Sequence, residues 1–210
     1  MLSLQASMNA KVDPNWIAAR YPYMRAVVIE AAEAIEHHGW KWWKKQDKDL
    51  PQLQMELIDI WHFLLSEILL NEQGNEAAAL HKLNELLESI EASQLVDFDG
   101  KPYKVNSMDL LSQLELLIAL SAARKIELSV FAAIMGNCEM DWTELYCQYV
   151  GKNVLNFFRQ DHGYQNGSYL KIWNGREDNE YLVEVMAELD ANDAEYKDKL
   201  YSALSKHYPN

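Results

Sequence analysis

The stretch LQMELIDIWHFLLSEILL, residues 53–70, decides the fold. Leu57, Ile58, Ile60, Trp61, Phe63, Leu64 and Leu65 cover almost the whole circumference of a helix, and a helix that is apolar nearly all round is buried. Glu56 and Asp59 interrupt that surface at i, i+3, so they project side by side from one face. Buried carboxylates without a counter-charge are costly or stay protonated. The pair therefore asks for a cation.

The neighbouring segment, AVVIEAAEAIEHHGW over residues 26–40, repeats the arrangement with Glu30 and Glu33. Consecutive helices joined by a short link pack antiparallel, which brings the two pairs together. Clustered oxygen ligands with no cysteine nearby favour Mg²⁺ or Mn²⁺ over Zn²⁺, and the usual partner of Mg²⁺ is a phosphate. Either pair alone also reads as a solvated acidic face. Glu36 continues the first stripe and is expected to lie at the surface or to support the carboxylates from behind.

Outward from these helices, apolar residues recur at helical spacing through most of the 210 residues, and no alternating strand pattern stands out. The spacing predicts helices over roughly 2–11, 22–38, 51–72, 75–92, 107–126, 128–136, 141–161 and 178–205. Gly39 is a C-cap candidate, Pro51 suits a first helical turn, and Asp141 with Glu144 resembles a capping box. Asp99-Gly100 marks a turn within the polar stretch 93–106. The fold class is all-α: a helical bundle whose antiparallel core helices carry ExxE and ExxD. One domain over 1–210 is expected, divisible into a rigid core of roughly 1–140 and a mobile cap of roughly 141–210.

A formal net charge of −13 argues against a general nucleic-acid-binding surface. No transmembrane run or signal peptide is visible, and Cys138 and Cys147 form no disulfide framework, so the cytoplasm is the expected address. Apolar positions after residue 74 (Leu80, Leu83, Leu86, Leu87, Ile90 and Leu110 to Leu120) exceed what a small fold easily buries, which predicts a homodimer.

Between the acidic helices lies WKWWKK, residues 40–45. Tryptophan offers a stacking platform and lysine a mobile phosphate partner, so a base and a polyphosphate fit there; a hydrophobic plug between two helices is the plainer alternative. In GKNVLNFFRQDHGY (151–164) and YLKIWNGREDN (169–179), Lys152, Asn156 and Arg159 share a helical face, and Lys171 and Arg176 add charge from a loop. A triphosphate would need such cations; a surface helix with ordinary charges is the bland alternative. Gln5 and Asn9 carry amides that could read a pyrimidine edge. His37, His38, His62 and His162 are given no catalytic role.

Together ExxE, WKWWK, ELIDIWHFLLS, KNVLNFFRQDHGY and YLKIWNGREDN closely resemble the dimeric dUTPases of the all-α NTP pyrophosphohydrolase superfamily, from Gln5 to Asn179. The resemblance implies a cytoplasmic homodimeric hydrolase of nucleotide metabolism. It would convert dUTP, and dUDP, to dUMP by attack of an activated water on the β-phosphorus. Glu30, Glu33, Glu56 and Asp59 would hold two or three Mg²⁺ ions, with Mn²⁺ as a substitute, and Glu30 would deprotonate the water. Gln5 and Asn9 would read uracil beside Trp40 or Trp43, and Phe63 would pack on the deoxyribose. Lys41, Lys152, Arg159 and Lys171 would bind phosphates, and Asn156 would contact the nucleotide. Neither nucleic acid nor membrane is an expected partner. Alternatives are a pyrophosphohydrolase of another nucleotide such as dCTP, or a non-catalytic helical interaction protein. The short span between Glu33 and Glu56 departs mildly from the family pattern.

Overall fold

The computed structural model describes residues 1–92, 95–190, 193 and 195–209. Among them the chain forms ten α-helices: α1 Leu2–Val12, α2 Trp16–Ala19, α3 Tyr23–His38, α4 Leu50–Asn71, α5 Glu76–Ala92, α6 Leu110–Ala122, α7 Leu128–Asn137, α8 Trp142–Asp161, α9 Asp178–Glu188 and α10 Tyr196–His207. The strands are confined to two hairpins, β1 Val96–Phe98 with β2 Lys101–Tyr103, and β3 Ile172–Trp173 with β4 Arg176–Glu177. The fold is all-α. No helix of the described residues is long and apolar enough to cross a membrane.

Three differences from the sequence reading have local causes. The helix expected over 178–205 is broken: Leu189 is extended, and Asp193 accepts the Glu195 N–H at 2.8 Å before α10 begins. A short acidic side chain that bonds forward to the backbone competes with the helix there. Residues 191, 192 and 194 within that break, like Ser93 and Gln94 of the polar stretch, lie outside the described residues. The short α2 follows Pro14 and is a single turn, too brief to show a period. Both hairpins turn on two residues of positive φ, Asp99 (52°) with Gly100 (71°) and Asn174 (48°) with Gly175 (87°). Such Asx-Gly turns match the twist of a two-stranded ribbon, so the long loop 162–177 carries a hairpin.

The chain divides into two compact units. One comprises Leu2 and Ile17–Trp142, the other Met1, Ser3–Trp16 and Thr143–Asn210. In the first, α3 packs on α4 and α6. Leu57, Ile58, Ile60, Trp61, Leu64 and Leu65 of α4 are buried, as the unbroken apolar run requires. Trp61 stacks on Phe131 of α7 with ring centroids 5.3 Å apart. Asp49 caps α4 by accepting the Gln52 N–H, with Pro51 in the first turn where its missing N–H is harmless. Most of the apolar residues after 74 are spent inside this unit: Leu83, Leu110, Leu114, Leu116, Leu117 and Leu120 are buried, while Leu80 stays exposed.

The second unit is built around α8. Gly151 is buried where a Cβ would run into the Met186 thioether, so only glycine lets the two approach as they do. Phe158 stacks on His162 at 3.9 Å and meets Tyr201 at 5.1 Å and Tyr208 at 5.3 Å. Tyr169 stacks on Tyr208, and Trp173 is fully buried among these rings.

Candidate active site

Helix α3 places Glu30 and Glu33 one turn apart, and α4 places Glu56 opposite them. One carboxylate oxygen from each comes within 4.8 Å of the others. The helices run antiparallel. His37 near the end of α3 accepts the Asp49 N–H at the start of α4 and reaches Glu56, whereas Glu30, further back on α3, feels Asp59, further on along α4. Glu56 is buried and Glu30 half-buried. Burial first, then the charges of Asp59 and Glu56, push the Glu30 carboxyl up to about 8. Like charges crowded together in partly dry surroundings produce this shift. A site made only of carboxylate oxygens that repel one another fits a hard divalent cation, whose charge would remove the conflict.

His37 stands 3.4 Å from Glu56 through Nε2. It sits four residues after Glu33 and seven after Glu30, on the face they occupy, so helical spacing alone carried the signal for its place. Phe63 is half-buried on α4, one turn beyond Asp59.

The loop after α3 gathers the tryptophans into a cluster. Trp43 lies edge-on to Trp40 at 5.3 Å and to Trp42 at 4.5 Å, and Trp42 and Trp43 remain 86% and 59% exposed. Trp42 and Trp43, more than half in water, do not form a plug between helices. Glu36 accepts Trp40 Nε1–H at 2.7 Å and the Lys41 ammonium at 3.0 Å. Those contacts hold the Glu36 carboxyl below its ordinary range.

The remaining expected residues belong to the other unit. Gln5 donates to the Asn9 carbonyl oxygen at 3.0 Å and accepts from the Tyr149 hydroxyl at 3.0 Å, all three being buried. Lys152 is buried on α8. Arg159 is engaged by the bidentate carboxylate of Asp178 (2.8 and 2.9 Å) and donates to Asn156 at 3.3 Å. Tyr169 donates to the same carboxylate at 2.8 Å. Lys171 is exposed, 3.4 Å from Glu177. Tyr149 and Asp178 escaped the sequence reading because their partners lie far along the chain or across a hairpin turn that no periodicity encodes.

A family model described as dUTPase matches residues 1–164. The chain belongs to the dUTPase family. Its relatives by that match are dUTP diphosphatases, hydrolases whose substrate is a small nucleotide. No curated protein matches the chain in sequence. The matched span contains the four carboxylates, the tryptophan loop and Lys152 to Arg159, and it stops before the β3–β4 hairpin with Lys171. The metal dependence general to dUTPases suits the acidic cluster of this family member.

Proposed function

We propose that this dUTPase family member hydrolyses dUTP, and dUDP, to dUMP with Mg²⁺ as its cofactor and Mn²⁺ as a substitute. The observation that carries the reading is the closure of Glu30, Glu33 and Glu56 to within 4.8 Å, with the Glu30 carboxyl pushed up to about 8. Glu30, Glu33, Glu56 and Asp59 hold two or three ions. When bound, the ions neutralise phosphate charge and acidify the attacking water. Glu30 takes the proton from that water. The attack falls on the β-phosphorus.

Trp40 or Trp43 lies beside the base, and Gln5 with Asn9 reads its edge. Phe63 packs on the sugar and excludes a 2′-hydroxyl. Lys41, Lys152 and Lys171 contact phosphates, Asn156 the nucleotide, and Arg159 adds a cation that Asp178 orients. The protein acts as a homodimer, with the exposed Leu80 on α5 in the interface; a monomer by light scattering at micromolar concentration would refute this.

The test is pyrophosphate release from dUTP, UTP, dCTP and dTTP, with and without Mg²⁺, for wild type and Glu56→Ala. Mg²⁺-dependent turnover of dUTP that Glu56→Ala abolishes is the expected result. Faster turnover of dCTP would keep the metal site and overturn the reading of the base. No turnover of any nucleotide would overturn both.

A further inference from the structure

Glu36 extends the Glu30–Glu33 stripe by one more helical turn, yet it does not join the metal cluster. Both of its oxygens are spoken for by the loop that follows: Oε1 accepts from Trp40 Nε1 at 2.7 Å and Oε2 from Lys41 Nζ at 3.0 Å. The Lys41 ammonium also lies 5.5 Å from the centre of the Trp40 ring. Carboxylate, indole and ammonium thus form a closed triangle, and Trp43 abuts it edge-on.

The path of the loop is held by further contacts. Gln46 accepts the Lys41 N–H at 2.8 Å, and Asp49 N–H donates to His37 at 2.8 Å. Gly39 has φ +83°, and a Cβ there would come 2.9 Å from the Gln46 Cβ, so the chain turns back tightly on itself. These contacts fix where the loop runs. They do not fix where the Trp40 ring or the Lys41 head points. Glu36 does that, and it does so from the same rigid helix face that carries Glu30 and Glu33.

We propose that Glu36 is a positioning residue for substrate, which locks Trp40 and Lys41 in a fixed relation to the α3 carboxylates without itself touching metal. The inference rests on the reading of Trp40 and Lys41 as nucleotide contacts. Without Glu36 the two side chains regain their rotamers, and ordering them falls on the binding step. Affinity for the nucleotide drops, while the metal-dependent chemistry stays as it was.

The experiment measures KM and kcat for dUTP and the half-saturating Mg²⁺ concentration in wild type, Glu36→Ala, Trp40→Ala and the double variant, with folding checked by circular dichroism. Glu36→Ala should raise KM about tenfold with kcat and Mg²⁺ demand within about twofold of wild type. In the Trp40→Ala background the same substitution should add far less than it does alone, because the two share one interaction. Glu36→Gln, which keeps an acceptor for Trp40 and loses the charge facing Lys41, should fall between wild type and Glu36→Ala. A shifted Mg²⁺ demand with collapsed kcat would place Glu36 among the metal ligands and overturn the inference. Fully additive effects in the double variant would overturn it as well. If Trp40→Ala leaves KM unchanged, the reading of the loop as a nucleotide contact fails. If Trp40→Ala raises KM and Glu36→Ala does not, the inference alone fails.

Discussion

The α3–α4 pair and the C-terminal unit both place carboxylates in partly dry surroundings, and they treat them in opposite ways. Between α3 and α4, Glu30, Glu33 and Glu56 face one another, and Glu30 is driven toward its neutral form. Around α8, β4 and α9 most of the carboxylates meet a cation. Asp178 receives both arms of Arg159 and is held below its usual range, and Glu184 receives Arg176 at 2.6 Å. One region stores repulsion that a ligand can relieve. The other is already neutralised and holds a shape. The same residue type therefore contributes to stability with opposite sign in the two places.

The largest effect that would break this contrast is on turnover. Glu30→Gln should lower kcat for dUTP by about three orders of magnitude or more, the scale of losing a positioned base at a metal site. Steady-state rates at saturating Mg²⁺ decide it, and a loss under tenfold would remove Glu30 from the chemistry. Next in size, Asp178→Ala leaves Arg159 buried without its counter-charge. Unfolding in denaturant should show a loss of about 3 kcal/mol. A loss near zero would mean that water or another acceptor satisfies the guanidinium.

A smaller effect belongs to the metal-free protein. Because the Glu30 carboxyl is raised to about 8 in the folded chain, its protonated form is the one that folding favours. The stability so gained is present below about pH 4.5, the unfolded value, and is lost as pH rises through about 8. Melting temperature in chelator should fall over that window, and Glu30→Gln should flatten the slope and melt a few degrees higher at pH 8. Added Mg²⁺ should reverse the order of wild type and variant. An unchanged slope in Glu30→Gln would show that repulsion in the cluster is not what costs stability.

How far the sequence could be read follows the same division. The run 53–70 declared a buried helix, and with its companion 26–40 it declared the facing of their carboxylates, because helical spacing converts directly into geometry. Pro51 and Gly39 declared their ends for the same local reason, while the Asp49 cap came to light only in the structure. Asp59 could be placed on the right face, and the order of its influence on Glu30 only emerged once both helices were packed. In the C-terminal unit the cations Arg159 and Lys171 were visible as types, and their partners were not. Asp178 reaches Arg159 across the hairpin closed by Asn174-Gly175, and Tyr149 reaches Gln5 across most of the chain. Such pairings depend on tertiary contact, which no local pattern records. The break after Leu189 was missed because apolar spacing on either side of it looks continuous.

The division of the chain has a consequence for how it is made. Leu2 apart, one unit is the continuous segment Ile17–Trp142, so it can fold as it leaves the ribosome. The other unit joins α1 to residues beyond Thr143, through Tyr149 with Gln5, Lys11 with Asp161 and Gln165 with Val12. Helix α1 must wait for the residues beyond Thr143. At roughly 5–20 residues per second, that wait lasts on the order of ten seconds. Until then the Tyr149 hydroxyl that Gln5 meets in the finished chain has not been made.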